Sequence, residues 1–297
     1  MEFFQITFQT AGIQIYAFLP PVVAFTISFF TSMAGVSGAF LLLPFQVSIL
    51  GFVTPSVSAT NFLYNVIGTP GGIVRYIKSK RMVWPLMACI LLGSVPGVLI
   101  GYYLRATLMP DPKTFKFFVG IVLLYVGWRL FLELRHHHNK QSKEKTLGFR
   151  VKHISFSPNA VHFNFNGRNI NFRVSTVMLL CLIVGIISGI YGIGGGAIIA
   201  PFLVTILNLP IYAFAGAVLA ANFMTSLAGM IFYSTIPLHH GATSPPDFLL
   251  GLLFGVGGLF GMYFGAKFQH RVPEVTIKII LLLTIITVSA KYIHQYF

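Results

Sequence analysis

Apolar runs govern what this chain can become. They cover roughly 16–34, 37–52, 55–76, 83–104 and 114–134, and then 174–191, 196–209, 211–234, 247–268 and 274–296. Most approach the ~20 residues that a helix needs to cross a bilayer. Hydrocarbon offers the backbone no hydrogen bonds, so only helices and closed barrels span it. The period-two alternation of a barrel is confined here to one short loop segment. Composition agrees: 56% of residues are hydrophobic and 9% charged, where a soluble domain carries about a quarter charged residues. The expectation is an all-α polytopic protein, multi-pass in the cell membrane.

The chain repeats itself. "AGVSGAFLLLPF" (Ala34 to Phe45) lies beside "YGIGGGAIIAPF" (Tyr191 to Phe202), pairing Gly35, Gly38, Pro44 and Phe45 with Gly192, Gly195, Pro201 and Phe202 at an offset of 157. "ATNFLYNVIG" matches "AANFMTSLAG" at offset 161, pairing Asn61 with Asn222. Gly93, Gly97 and Gly101 match Gly257, Gly261 and Gly265 at offset 164. Landmarks recurring in order mark a tandem duplication. The division is a first transmembrane repeat (1–134), a basic linker (135–173) and a second transmembrane repeat (174–297).

Charge sets the orientation. The net charge is +14. Eight Lys or Arg and one Glu lie between Arg135 and Arg173, so half of that excess sits in one loop. Positive charge at span ends belongs on the cytoplasmic side, which accounts for it without nucleic acid. The turn with Arg75, Lys78, Lys80 and Arg81 is then cytoplasmic, as is the linker. The equivalent turn of the second half, Ser234 to Asp247, has no Lys or Arg and faces outward. Equivalent loops on opposite sides mean two tandem repeats in inverted topology, with the N-terminus outside. The turn holding Arg105, Lys113 and Lys116 goes against this count. Each glycine-joined pair of segments is either two full spans or two half-helices, giving eight to ten transmembrane or re-entrant helices. The first fifteen residues lack Lys and Arg, so the basic region of a signal peptide is missing.

In the linker, "VHFNFNGRNINF" alternates around Asn166-Gly167, the preferred pair for a type I′ turn. With Val151 to Phe156 alongside, it forms a small cytoplasmic β-hairpin insert, read either as a docking surface or as a cover for the basic loop. Cys89 and Cys181 lie inside apolar runs and read as reduced packing residues, with no metal site or disulfide. The glycines at spacings of four, Gly93, Gly97 and Gly101 with Gly257, Gly261 and Gly265, read as a close-packing ridge.

The glycines at Gly192, Gly194, Gly195 and Gly196 are nearly consecutive and break a helix. They can take positive φ and let a ligand approach the main chain. The helix starting near Ala197 then points unpaired N–H groups and its positive dipole end at the break, which binds anions without a cationic side chain. Gly35, Ser37, Gly38 and Ala39 offer a second such start. The competing reading is tight helix packing alone. Asn61 and Asn222 face the bundle interior, as ligands or as helix–helix glue. None of the six acidic residues lies mid-span, so no carboxylate relay is expected. The signatures H-E-x-x-H, G-x-S-x-G and the Walker loop are absent, and the chain is not expected to be an enzyme.

At these residues the sequence resembles the TauE/SafE family of sulfite exporters, also called toluene sulfonate uptake permeases. The resemblance rests on Gly192 to Phe202, its weaker copy at Gly35 to Phe45, and "AANF" at Ala220 to Phe223, and it spans both halves but not the linker. It implies transport of small sulfur-containing anions such as sulfite, sulfonates or sulfoacetate. Ser37 and Ala39 depart from the glycine signature, and Ser37 adds a hydroxyl. The expectation is a secondary transporter of small anions working by alternating access. Its partners are membrane lipid and a coupling ion, proton or sodium; no cofactor or nucleic acid is needed. An anion channel, or a receptor or assembly factor using the insert, are the alternatives. The anion is expected at Gly35, Ser37, Gly38, Ala39, Gly192, Gly194, Gly195, Gly196 and Ala197, helped by Asn61 and Asn222.

Overall fold

A computed structural model describes residues 5–33, 37–78, 82–137, 151–156, 160–165, 168–195, 198–199, 202–203, 211–237, 243–268 and 274–296. Among them are ten helices. The first half holds α1 (Leu19–Met33), α2 (Ala39–Ser48), α3 (Ser56–Gly68), α4 (Pro70–Lys78), α5 (Trp84–Thr107) and α6 (Pro112–His137). The second holds α7 (Val174–Tyr191), α8 (Ile211–Thr235), α9 (Phe248–Phe268) and α10 (Glu274–His294). Five of these, α5 to α9, contain stretches long and apolar enough to cross a membrane, and α1, α2 and part of α10 are shorter apolar helices. The segment expected over 55–76 is divided, because Pro70 has no N–H to continue the ladder of α3.

The packing is inverted in polarity relative to a soluble protein. Large apolar side chains face outward, among them Leu92, Trp128, Leu179, Leu283 and Tyr263, a surface suited to lipid. Amides and hydroxyls lie inside: Gln46, Asn61, Asn65 and Ser226 are all fully buried.

Helix pairs cross between the halves. α5 packs along α7, and α1 packs along α9. A Cβ added at Gly93, Gly97 or Gly101 would run into the carbonyl oxygens of Met178, Leu182 and Ile186 respectively. Gly257, Gly261 and Gly265 stand in the same relation to Pro21, Phe25 and Phe29. The two glycine sets are 164 apart and the two carbonyl sets 157 apart, the offsets already present in the sequence. Only the missing side chains let the backbones come this close.

The expected hairpin in the linker is present. β4 (Ala160–Phe165) and β5 (Arg168–Arg173) pair antiparallel with Phe165 opposite Arg168, and β3 (Val151–Phe156) pairs with β4. β5 runs straight into α7 at Val174. A second hairpin, not foreseen in the sequence, joins β1 (Gln5–Phe8) to β2 (Ile13–Tyr16) through a turn with Gly12 at φ 66°. Asp247 anchors it. One carboxylate oxygen accepts the Ala11 N–H at 3.1 Å, and the other caps α9 through the Leu250 N–H at 3.0 Å. The Asp247 N–H donates to Thr60 Oγ1 of α3 at 2.9 Å.

Substituting Gly101 or Gly265 with alanine should cost about 1–3 kcal/mol or more through overpacking. The same change at Gly71, where an added Cβ meets nothing within 4 Å, should be close to neutral. Thermal unfolding of the three purified variants checks the order.

Candidate functional site: two helix breaks joined by side chains

Both breaks start a helix in the same way. The Gly38 carbonyl accepts the N–H groups of Leu41 and Leu42 at 3.1 and 3.0 Å. The Gly195 carbonyl accepts those of Ile198 and Ile199 at 3.0 and 2.9 Å. Their conformations differ. Gly192, Gly194 and Gly195 have φ of 81°, 73° and 77°, the left-handed region expected of them, whereas Gly38 is right-handed at φ −67°. The first break is held instead by side chains: Ser37 Oγ accepts the Ala39 N–H at 3.3 Å and donates to Asn65 Oδ1 at 2.8 Å. A Cβ at Gly38 would sit 2.7 Å from the Tyr64 hydroxyl.

The two breaks touch through Asn61. Its Nδ2 donates to the carbonyls of Ala39 and Gly192, each at 3.0 Å, and its Oδ1 accepts from Gln46 Nε2 at 3.4 Å. Asn61 therefore ties the start of α2 to the end of α7, and both its donors are engaged. The last carbonyls of α7, which a helix leaves without partners, are met in turn: Gly189 by the Tyr233 hydroxyl at 2.8 Å, Ile190 by Ser58 Oγ at 2.9 Å, and Gly192 by Asn61. Pro44 creates one more orphan, since it has no N–H to give the Phe40 carbonyl. The Tyr191 hydroxyl supplies that bond at 2.7 Å.

The glycines are pressed to different degrees. At Gly192 a Cβ would lie 2.8 Å from Ser58 Cα, and at Gly194 it would strike Asn222 Oδ1 and Ser226 Oγ. The Gly194 carbonyl accepts Thr225 Oγ1 at 3.0 Å. Gly195 has room, with Val184 Cγ1 at 3.5 Å and Ser188 Oγ at 3.9 Å. Four buried polar atoms here have no hydrogen-bond partner among the described residues: Ser188 Oγ, Ser226 Oγ, Asn65 Nδ2 and Gln46 Oε1. Buried polar atoms are nearly always paired, so this is unused bonding capacity gathered around two helix starts. The side chains bonding the breaks are all neutral.

Of the expected site residues, Ser37, Gly38, Ala39, Asn61, Gly192, Gly194, Gly195 and Asn222 fall at the two breaks; Gly35, Gly196 and Ala197 lie outside the described residues. Reading the sequence missed Ser58, Ser188, Tyr191 and Tyr233. The proline at 44 was the one available signal, since it demands an outside donor for the Phe40 carbonyl.

The model of the family described as sulfite exporter TauE/SafE matches residues 21–292. The chain belongs to the TauE/SafE family. It is similar to the probable membrane transporter protein YunE of Bacillus subtilis (strain 168), 22% identical over 89% of this chain and 92% of the relative. It is also similar to the probable membrane transporter protein YjnA of the same organism, 21% identical over 88% of this chain and 93% of the relative. No solved structure matches. This TauE/SafE protein is thus a multi-pass membrane transporter acting on a small molecule, and its family is one of permeases, not enzymes.

Gly194→Ala should be more damaging than Gly195→Ala. Both place an L residue at positive φ, a cost of about 1–2 kcal/mol, but only the first drives a methyl into Asn222 and Ser226. Asn61→Leu takes the side-chain donor from the Gly192 carbonyl and the second bond from the Ala39 carbonyl, a loss of about 1–3 kcal/mol. Unfolding temperature in detergent should fall more for Gly194→Ala than for Gly195→Ala, and should fall clearly for Asn61→Leu.

Proposed function

We propose that this protein is a secondary transporter of small sulfur-containing anions of the sulfite or sulfonate class. The anion sits between the two helix starts at Ser37–Ala39 and Gly194–Gly195. The observation that carries this is the cluster of buried donors without a partner among the described residues, the Ser188 and Ser226 hydroxyls and Asn65 Nδ2, beside those breaks. Helix starts aim N–H groups and positive dipole ends at their ligand, and neutral donors complete the shell. Burial of the region favours a carrier over a channel, which needs a continuous path: Asn61 is 0% exposed and Asn222 2%. Asn61 serves as the tie between the breaks, and Asn222, its equivalent in the repeat, faces the anion beside Gly194.

The same reading takes the halves as inverted repeats that rock against each other, with a proton or sodium ion as the coupling species. The crossed pairs α5–α7 and α1–α9 support it. Arg105, near the end of α5, reaches the loop just before α3, and Asp247, at the start of α9, reaches the first turns of α3. α5 thus ends on the face where its counterpart α9 begins. The ten-residue α2 is about 15 Å long, half a bilayer thickness, and fits a re-entrant half-helix. The N-terminal hairpin and the 234–247 loop lie outside in this arrangement, and the linker sheet lies in the cytoplasm.

Purified protein in proteoliposomes should take up a labelled member of a panel of sulfite, sulfate and sulfonates, saturably and with dependence on an imposed proton or sodium gradient. Uptake of none of them would end the anion reading. For topology, an impermeant thiol reagent added outside should label Thr243→Cys and not Lys78→Cys. Both positions are exposed, and the native Cys89 and Cys181 are buried. Labelling of both from one side would remove the inverted arrangement.

A further inference from the structure

Arg105 is the largest fully buried side chain of the protein's described residues, at 0% exposed. It sits in the last turn of α5. One terminal nitrogen donates to the Met109 carbonyl and the other to the Val53 carbonyl at 3.1 Å, while the guanidinium lies 3.8 Å from the centre of the Phe115 ring. Its Nε has no partner among the described residues. Among the described residues no carboxylate pairs with it; Asp111, six positions on, bonds the N–H and hydroxyl of Thr114. A charge buried without a counter-charge is strongly unfavourable, and two carbonyls with one aromatic face compensate only part of that.

Its surroundings point toward the break. Tyr102, one turn earlier on α5, stacks edge-on against Tyr233 at 4.6 Å. The Tyr233 hydroxyl donates to the Gly189 carbonyl, one turn before Gly192. Tyr102 and Tyr233 thus connect the last turns of α5, which carry Arg105, to the end of α7. An ionisable residue inside a membrane bundle is a mark of a ligand path.

We propose that Arg105 is a binding residue for a small oxyanion at the α5–α8 end of the path, where the ligand supplies the missing negative charge before passing to the breaks. This rests on the anion reading above and adds a charged station to a site otherwise built of neutral groups. An anion drawn to a guanidinium by charge should be bound more tightly when divalent.

The test compares wild type, R105K and R105Q as full-length protein in detergent, reading thermal stabilisation by sulfate (divalent) and nitrate (monovalent), with gluconate as a bulky control. Wild type should be stabilised by sulfate more than by nitrate. R105Q should need at least about tenfold more sulfate for the same stabilisation, with the preference for the divalent ion lost. R105K, which keeps the charge but not the fork, should fall between. If R105Q is less stable yet responds to sulfate as wild type does, Arg105 is only a clamp on two loops and the proposal falls; it falls equally if wild type responds to no small oxyanion. Should R105Q fail to fold, R105K decides. Weakened sulfate response supports the site, whereas a wild-type response or failure of R105K to fold overturns it. Proteoliposome flux keeps the two readings apart: flux unchanged in R105Q removes the Arg105 site and leaves transport standing. Absence of wild-type flux with an Arg105-dependent sulfate response removes transport and leaves the site.

Discussion

A main-chain carbonyl in hydrocarbon has no water to turn to, and the centre of this protein follows from that fact. Interrupting helices inside the bundle strands several backbone groups at once. Three carbonyls at the end of α7 are met by side chains from neighbouring helices: Tyr233 at Gly189, Ser58 at Ile190 and Asn61 at Gly192. Those donors are placed by α3 and α8, which pack against each other and against the crossed pairs α1–α9 and α5–α7. The bundle is the scaffold that makes an irregular backbone tolerable, and that backbone is where the proposed anion would be held, by dipoles instead of by charged side chains.

The two breaks solve the problem differently. The second turns on left-handed glycines, with Asn61 and Thr225 meeting the carbonyls of Gly192 and Gly194, and leaves room for a methyl at Gly195. The first replaces two glycines with Ser37 and Ala39, keeps Gly38 right-handed, and relies on the Ser37 hydroxyl bridging Ala39 and Asn65. A duplicated motif has thereby become two unequal halves of one region, one shaped by backbone freedom and one by hydrogen bonds.

Much of the architecture was legible because periodicity and spacing reflect backbone geometry. Glycines four apart foretold the helix ridge, and their offsets of 157 and 164 reappear as physical contacts between Gly97 and Leu182 and between Gly261 and Phe25. Asn166-Gly167 foretold the linker hairpin that Phe165 and Arg168 close. What escaped was either short or long-range. Gln5–Phe8 and Ile13–Tyr16 are four-residue strands, too short for alternation to stand out. Arg105 counted as a loop charge against the orientation, yet it is buried beneath two carbonyls and Phe115, so it does not act as an exposed charge in that turn. Asn61 was read as a residue facing the interior, but nothing local says that its one nitrogen reaches carbonyls in both halves.

The crossed pairing has a consequence for how the chain is made. Pro21, on α1, rests against Gly257 of α9, 236 residues further along the chain. At about 5–20 residues per second of synthesis, α1 waits roughly ten to fifty seconds for its partner to emerge. During that interval the face of α1 that will meet backbone is covered by lipid or by assembly machinery. The amino-terminal half is thus held in the bilayer unfinished, and its completion is timed by the ribosome.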